Sequence, residues 1–87
     1  MPTLLICTVR DAAIDAYGQP IFVRHTGEAC RSFADECNRE GSTFNKHPED
    51  YELFFIGTYD DDRGLITPQN PSSLLTGKAA YREPKKD

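Results

Sequence analysis

The chain has 87 residues, of which 38% are hydrophobic and 28% charged, and its formal net charge is −4. That length supports one core and excludes a second, while four Tyr and five Phe exclude the apolar-poor, highly charged class that stays disordered. The acidic balance argues against a broad cationic surface that holds nucleic acid without selectivity, because neutralising phosphates needs clustered Lys and Arg.

Taken from the N-terminus, Thr3 to Arg10 reads as a strand, with Leu5, Cys7 and Val9 on one face and Leu4 and Ile6 on the other. Asp11 to Pro20, containing Gly18 and Pro20, reads as a connection to a second strand at Ile21, Phe22 and Val23, so that the two strands form a hairpin. Thr26 stands where an N-cap belongs, and Glu28 in the first turn suits the positive end of the helix dipole. The apolar positions Cys30, Phe33, Ala34 and Cys37 follow helical spacing, and Gly41 is a natural terminator.

Ser42 to Asp50 is polar and reads as a loop, with Pro48 directing His47 toward an extended backbone. Tyr51 to Tyr59 is the strongest strand signal, placing Tyr51, Leu53, Phe55 and Tyr59 on one face and Phe54 and Ile56 on the other. Asp60 to Gly64 predicts a tight turn into a short strand ending at Thr67, stopped by Pro68 and Pro71. Ser72 to Tyr81 has room for one short helix before a polar end.

The expected fold is therefore α+β, a small four-stranded antiparallel sheet with one helix on one face, in the order β-β-α-β-β. Residues 1–68 form the domain, and residues 69–87 a mildly basic tail, irregular or with one short helix. A lone helix covers only one sheet face. Leu4, Ile6, Phe54 and Ile56 on the other face predict an apolar surface of a size monomers seldom expose, to be covered by a second copy or by the tail. A symmetric homodimer is the simpler expectation.

The longest apolar run, Leu53 to Ile56, falls far short of the roughly 20 residues of a membrane span, and no basic-then-apolar leader opens the chain. The expectation is a protein neither secreted nor inserted. Three cysteines fit a reducing compartment, since Cys30 and Cys37 lie about 10 Å apart on one helix, too far for a disulfide. Zinc held by Cys30, Cys37, His25 and His47 lacks the usual CxxC or HxxxH spacing. The run Asp60, Asp61, Asp62 lacks the alternating ligands of a calcium loop and reads as a solvated turn.

No positioned base accompanies Cys7, Cys30 or Cys37, and no phosphate-cradling or nucleophile-elbow motif is present, so neither an enzyme nor a bound cofactor is expected. What remains is a scatter of cations with nearby rings. Arg10, Arg24, Arg31 and Lys46 lie in the body, and Lys78, Arg82, Lys85 and Lys86 in the tail; Tyr51, Tyr59 and Tyr81 offer stacking surfaces. Residues 1–68 carry six basic and twelve acidic side chains, so the tail is the basic end.

The segment Lys46-His47-Pro48-Glu49-Asp50-Tyr51-Glu52-Leu53-Phe54, then Ile56-Gly57-Thr58-Tyr59-Asp60-Asp61 and Gly64-Leu65-Ile66-Thr67-Pro68, resembles the small nonstructural protein of gokushoviruses, tailless phages with single-stranded DNA genomes. Tyr17 to Pro20, Phe22, Thr26-Gly27-Glu28-Ala29 and Arg31-Ser32-Phe33-Ala34-Asp35 agree with it. The resemblance implies a DNA-binding protein of the bacterial host cytoplasm that assists single-stranded genome synthesis or packaging, and it implies no catalytic residues. The partners expected are single-stranded DNA, a second copy, and phage replication or capsid proteins, with no membrane. The alternative is a protein-interaction module that recruits a phage replication, capsid or host factor.

Overall fold

The computed structural model describes residues 3–82. In chain order the elements are β1 (Thr3–Asp11), β2 (Ala16–Tyr17), β3 (Ile21–Val23), α1 (Thr26–Asn38), α2 (Thr43–Lys46), a 3-10 turn at Pro48–Asp50, β4 (Tyr51–Asp60), β5 (Leu65–Thr76) and α3 (Gly77–Ala80). The class is α+β, as the sequence leads one to expect. The strands form one antiparallel sheet in the order β2-β1-β4-β5, with β3 beside β2 on the same edge of β1. The two-residue β2 lies within the stretch that reads as a plain connection.

Alternation along β1 sends Leu5, Cys7 and Val9 toward α1, where they meet Leu53 and Phe55 of β4. The helix contributes Ala29, Phe33 and Cys37, one residue per turn along a single stripe, with Cys30 and Ala34 flanking them. Leu53, Cys7 and Cys37 are fully buried. Burying one such apolar side chain stabilises the fold by about 1.5–3 kcal/mol, and this single layer is the core. Two buried hydroxyls are satisfied locally. Thr8 Oγ1 donates to the Gly18 carbonyl at 2.8 Å, and Ser42 Oγ donates to the Glu36 carbonyl at 2.6 Å.

Several boundaries differ from the sequence reading. Thr26 is the first helical residue and not the cap; His25 takes the cap position without a side-chain hydrogen bond, and Glu28 Oε1 accepts from the Arg24 amide at 3.1 Å. The helix ends at Asn38, and Gly41 follows in the left-handed region with φ 87°. The expected loop after it is partly helical, because Ser42 caps α2 by accepting from the Asn45 amide at 3.0 Å.

The largest correction concerns the second hairpin. Pro68 and Pro71 do not stop β5, which runs on to Thr76, so the domain boundary expected at Pro68 falls inside a strand. Among the described strands β5 is an edge strand with one unpaired side, where a missing amide costs no ladder bond. Its pairing jumps from Gly57 opposite Pro68 to Phe55 opposite Ser72, so the second proline sits in an irregular stretch. Beyond it, α3 supplies the short helix expected before the end of the chain. Asn38 fastens that turn to α1: its Nδ2 donates to the Ala34 and Ala80 carbonyls, and its Oδ1 accepts from the Arg82 amide at 2.7 Å.

Candidate nucleic-acid interface

The sheet face away from α1 is covered by none of the described helices, and its residues are set by register. Leu4, Ile6, Thr8 and Arg10 occupy it on β1, opposite Tyr59, Gly57, Phe54 and Glu52 of β4. Across the other edge of β1, Phe22 stands opposite Ile6, and Tyr17 opposite Arg10. Ile66 of β5 extends the surface beside Tyr59.

Four aromatic rings therefore share one face. Tyr17 and Phe54 meet edge to face with centroids 5.6 Å apart, and Phe22 and Tyr59 do so at 5.5 Å. Tyr17 and Phe22 stay about half exposed, at 47% and 48%, whereas Ile6 between the strands is only 5% exposed. The face is apolar around Leu4, Ile6 and the rings, with Arg10 and Glu52 at its other end, a chemistry that suits stacking against flat partners or burial against a protein.

A one-residue bulge produces this arrangement. Between Cys7 opposite Phe55 and Ile6 opposite Gly57, β4 holds the extra residue Ile56. Strict alternation places Tyr59 with Tyr51, Leu53 and Phe55; the bulge moves it to the opposite face. Phe54 lies on the open face as expected, alongside Leu4 and Ile6, while Ile56, half-buried, occupies the bulge itself. Through Ala80, α3 packs into the helix-side core, so among the described residues the chain's end does not cover the open face.

The cations and rings singled out in the sequence do not form one cluster. Arg10 lies on the open face, ion-paired to Asp15, and Arg24 directly follows β3 at the border of the sheet. Arg31 is exposed on α1, and Lys46 is exposed at the end of α2. Lys78 and Arg82 are exposed around α3, where Tyr81 is half-buried. Tyr51 packs against Phe44 on the helix side, centroids 4.3 Å apart, away from Tyr59. Lys85 and Lys86 lie outside the described residues. Tyr17 and Phe22 were missed as surface rings; an aromatic in each short strand, one residue out of phase with the core, was the available signal.

The reactive residue types sit in unreactive settings. Burial, followed by the charge of Cys30, pushes the Cys7 thiol above its ordinary 9.0. Burial, followed by the charge of Glu36, does the same at Cys37, so both remain protonated at neutral pH. Asp60 organises its turn, accepting from the Asp62 and Arg63 amides at 3.0 and 3.3 Å, and Gly64 adopts φ 68°. Among the described residues, the potential metal ligands that converge are His47, Glu49 and Asp50, within 4.8 Å of one another, and not the cysteines with the histidines. They sit at the 3-10 turn and its preceding residue, His47 and Glu49 exposed and Asp50 half-buried, with His47 Nδ1 3.9 Å from Glu49 Oε1.

No helix among the described residues is long and apolar enough to cross a membrane. Comparison with curated proteins and with solved structures gave no match. The family model described as "Phage ORF5 protein" matches residues 4–80, from the first residues of β1 through the last of α3. With nearly every described element inside that match, the chain belongs to the Phage ORF5 protein family.

Proposed function

We propose that this phage protein binds single-stranded DNA without catalysis, using the open sheet face, and assists synthesis or packaging of a single-stranded genome in the host cytoplasm. The observation that carries the reading is the set of four rings, Tyr17, Phe22, Phe54 and Tyr59, on one uncovered face. Base–aromatic stacking contributes about 1–3 kcal/mol per base and tolerates any sequence, which suits a genome-length ligand. Arg24 borders the rings and supplies a phosphate contact, and Arg10 adds one by exchanging its Asp15 partner for phosphate. The resemblance of residues 46–68 to the gokushovirus nonstructural protein supports the same assignment.

A titration of fluorescent oligothymidine across salt concentrations tests this. Binding that weakens steadily as salt rises, and that drops on replacing Phe22 or Tyr59 by Ala, supports it. Absence of binding at low salt rejects it.

The charge of −4 favours a second reading, in which the same face docks protein. Its simplest form is a homodimer through the apolar surface around Leu4, Ile6, Phe54 and Ile56. A phage replication or capsid protein is the other partner to consider. Light scattering that gives twice the chain mass, with no oligonucleotide affinity, selects this reading.

A further inference from the structure

On the helix side the core is not fully closed. Between α1 and the segment joining β1 to β3 lies an open cleft of about 460 Å³. Half-buried Val9 lies at its base, above the fully buried Leu53 opposite it, and α1 closes the other side through Phe33. Ile14 and Ile21 edge it, 70% and 41% exposed. Ile21 stands opposite Cys7, at a position that alternation assigns to the core, yet α1 leaves it uncovered. Exposed apolar side chains that border a recess mark a surface whose burial is favourable.

The polar rim has a definite sign. Asp11 and Tyr51 are the next opposed pair on this face, two residues beyond Val9 and Leu53. Glu36 on the facing rim is already engaged, accepting from Arg39 Nε at 3.0 Å and from Nη2 at 2.5 Å. Asp11 accepts from the Ala13 amide at 3.0 Å and neighbours the Tyr51 hydroxyl, and it has no ion pair among the described residues. Beside this recess, β3 pairs with β1 alone among the described strands, so its outer edge has no described strand partner and suits strand addition by an extended peptide.

We propose that the cleft docks a segment of a partner protein in which a large apolar side chain adjoins a lysine or arginine. The apolar side chain packs against Val9 and covers Ile14 and Ile21, and the cation meets Asp11. Backbone groups of the segment pair with the free edge of β3, which a small amphiphile does not do. The acidic body of the chain draws such a segment in. This site lies on the opposite side of the sheet from the aromatic face, so its test is separate from that of DNA binding.

The test uses amide NMR spectra of the full chain titrated with the blocked peptides Gly-Phe-Arg-Gly, Gly-Phe-Glu-Gly and Gly-Ser-Arg-Gly. The expected result is saturable shifts at Ile14, Ile21, Ser32 and Leu53 with the Phe-Arg peptide, and clearly weaker binding of the other two. Asp11→Asn weakens the Phe-Arg peptide roughly two- to fivefold and erases its advantage over Phe-Glu. Ile14→Ser, at an exposed position where folding is insensitive, weakens both phenylalanine peptides. Equal binding of the Phe-Arg and Phe-Glu peptides to the natural chain overturns the proposal. Shifts that map elsewhere, or none at millimolar peptide, overturn it equally.

Discussion

Phe22 and Tyr59 meet edge to face, centroids 5.5 Å apart, although their strands do not pair with each other. They reach across β1, where Ile6 lies between Phe22 on one side and Gly57 on the other. Gly57 carries no side chain, which leaves that row open, and the two rings help explain why Ile6 is buried on a face without a helix.

Removing either ring therefore has two separable effects. Phe22→Ala and Tyr59→Ala each expose Ile6 and lower stability by about 1–3 kcal/mol in urea unfolding, and each weakens oligothymidine binding by roughly tenfold. Tyr59→Phe keeps the ring and retains most of both. A loss in Tyr59→Phe as large as in Tyr59→Ala shows that the hydroxyl matters and that stacking does not account for the affinity.

Gly57 has a second constraint. A Cβ there would stand 2.6 Å from the Thr67 carbonyl oxygen and 3.2 Å from Pro68 Cα, so β5 approaches closely because nothing intervenes. Gly57→Ala is expected to destabilise by about 1–3 kcal/mol, read from the urea midpoint at unchanged slope. Gly64→Ala meets no such contact, although its left-handed φ makes the change mildly unfavourable, so it is the weaker of the two.

Much of this was legible beforehand, and the misses have specific causes. The stripe of α1 and the alternation of Leu5, Cys7 and Val9 fix the core side, because one period repeats without interruption. The placement of Tyr59 was not legible, since a single extra residue reverses every later side chain and Ile56 carries no mark of being that residue. The extent of β5 was hidden because Pro68 and Pro71 signal a stop only in a strand paired on both sides. The aromatic face was hidden by the bulge and by the shortness of β2. Tyr17 sits in a two-residue strand, and Tyr59 reached that face only through the bulge.

Asn38 links the last described residues to the body through three hydrogen bonds. Asn38→Ala should cost about 1–3 kcal/mol, since it leaves the Ala80 carbonyl and the Arg82 amide without that partner. Amide exchange should rise at Ala80, Tyr81 and Arg82 before it rises in β1. Uniform acceleration across the sheet would show that the Asn38 hydrogen bonds hold the whole core and not the last turn alone.

Stability should also fall in alkali. Cys7 and Cys37 are held above 9.0, and Tyr51 is raised above 10.0 by burial, then by the charge and hydrogen bonding of Asp11, then by the charge of Asp50. Each folded-state proton is retained where the unfolded chain has lost its own, so folding free energy is undiminished below these ordinary values and declines as pH rises through them. Urea midpoints at about pH 7 and about pH 10 should differ in that direction. Cys37→Ala should reduce the slope, and a midpoint that climbs with pH contradicts the assignment.

The most direct test of the central claim is an amide NMR titration of the full chain with oligothymidine at low salt. The account predicts shifts concentrated at Tyr17, Phe22, Phe54 and Tyr59, with Phe33 and Cys37 on the helix side undisturbed. Shifts confined to the helix side, or a spectrum unchanged at saturating oligonucleotide, contradict it.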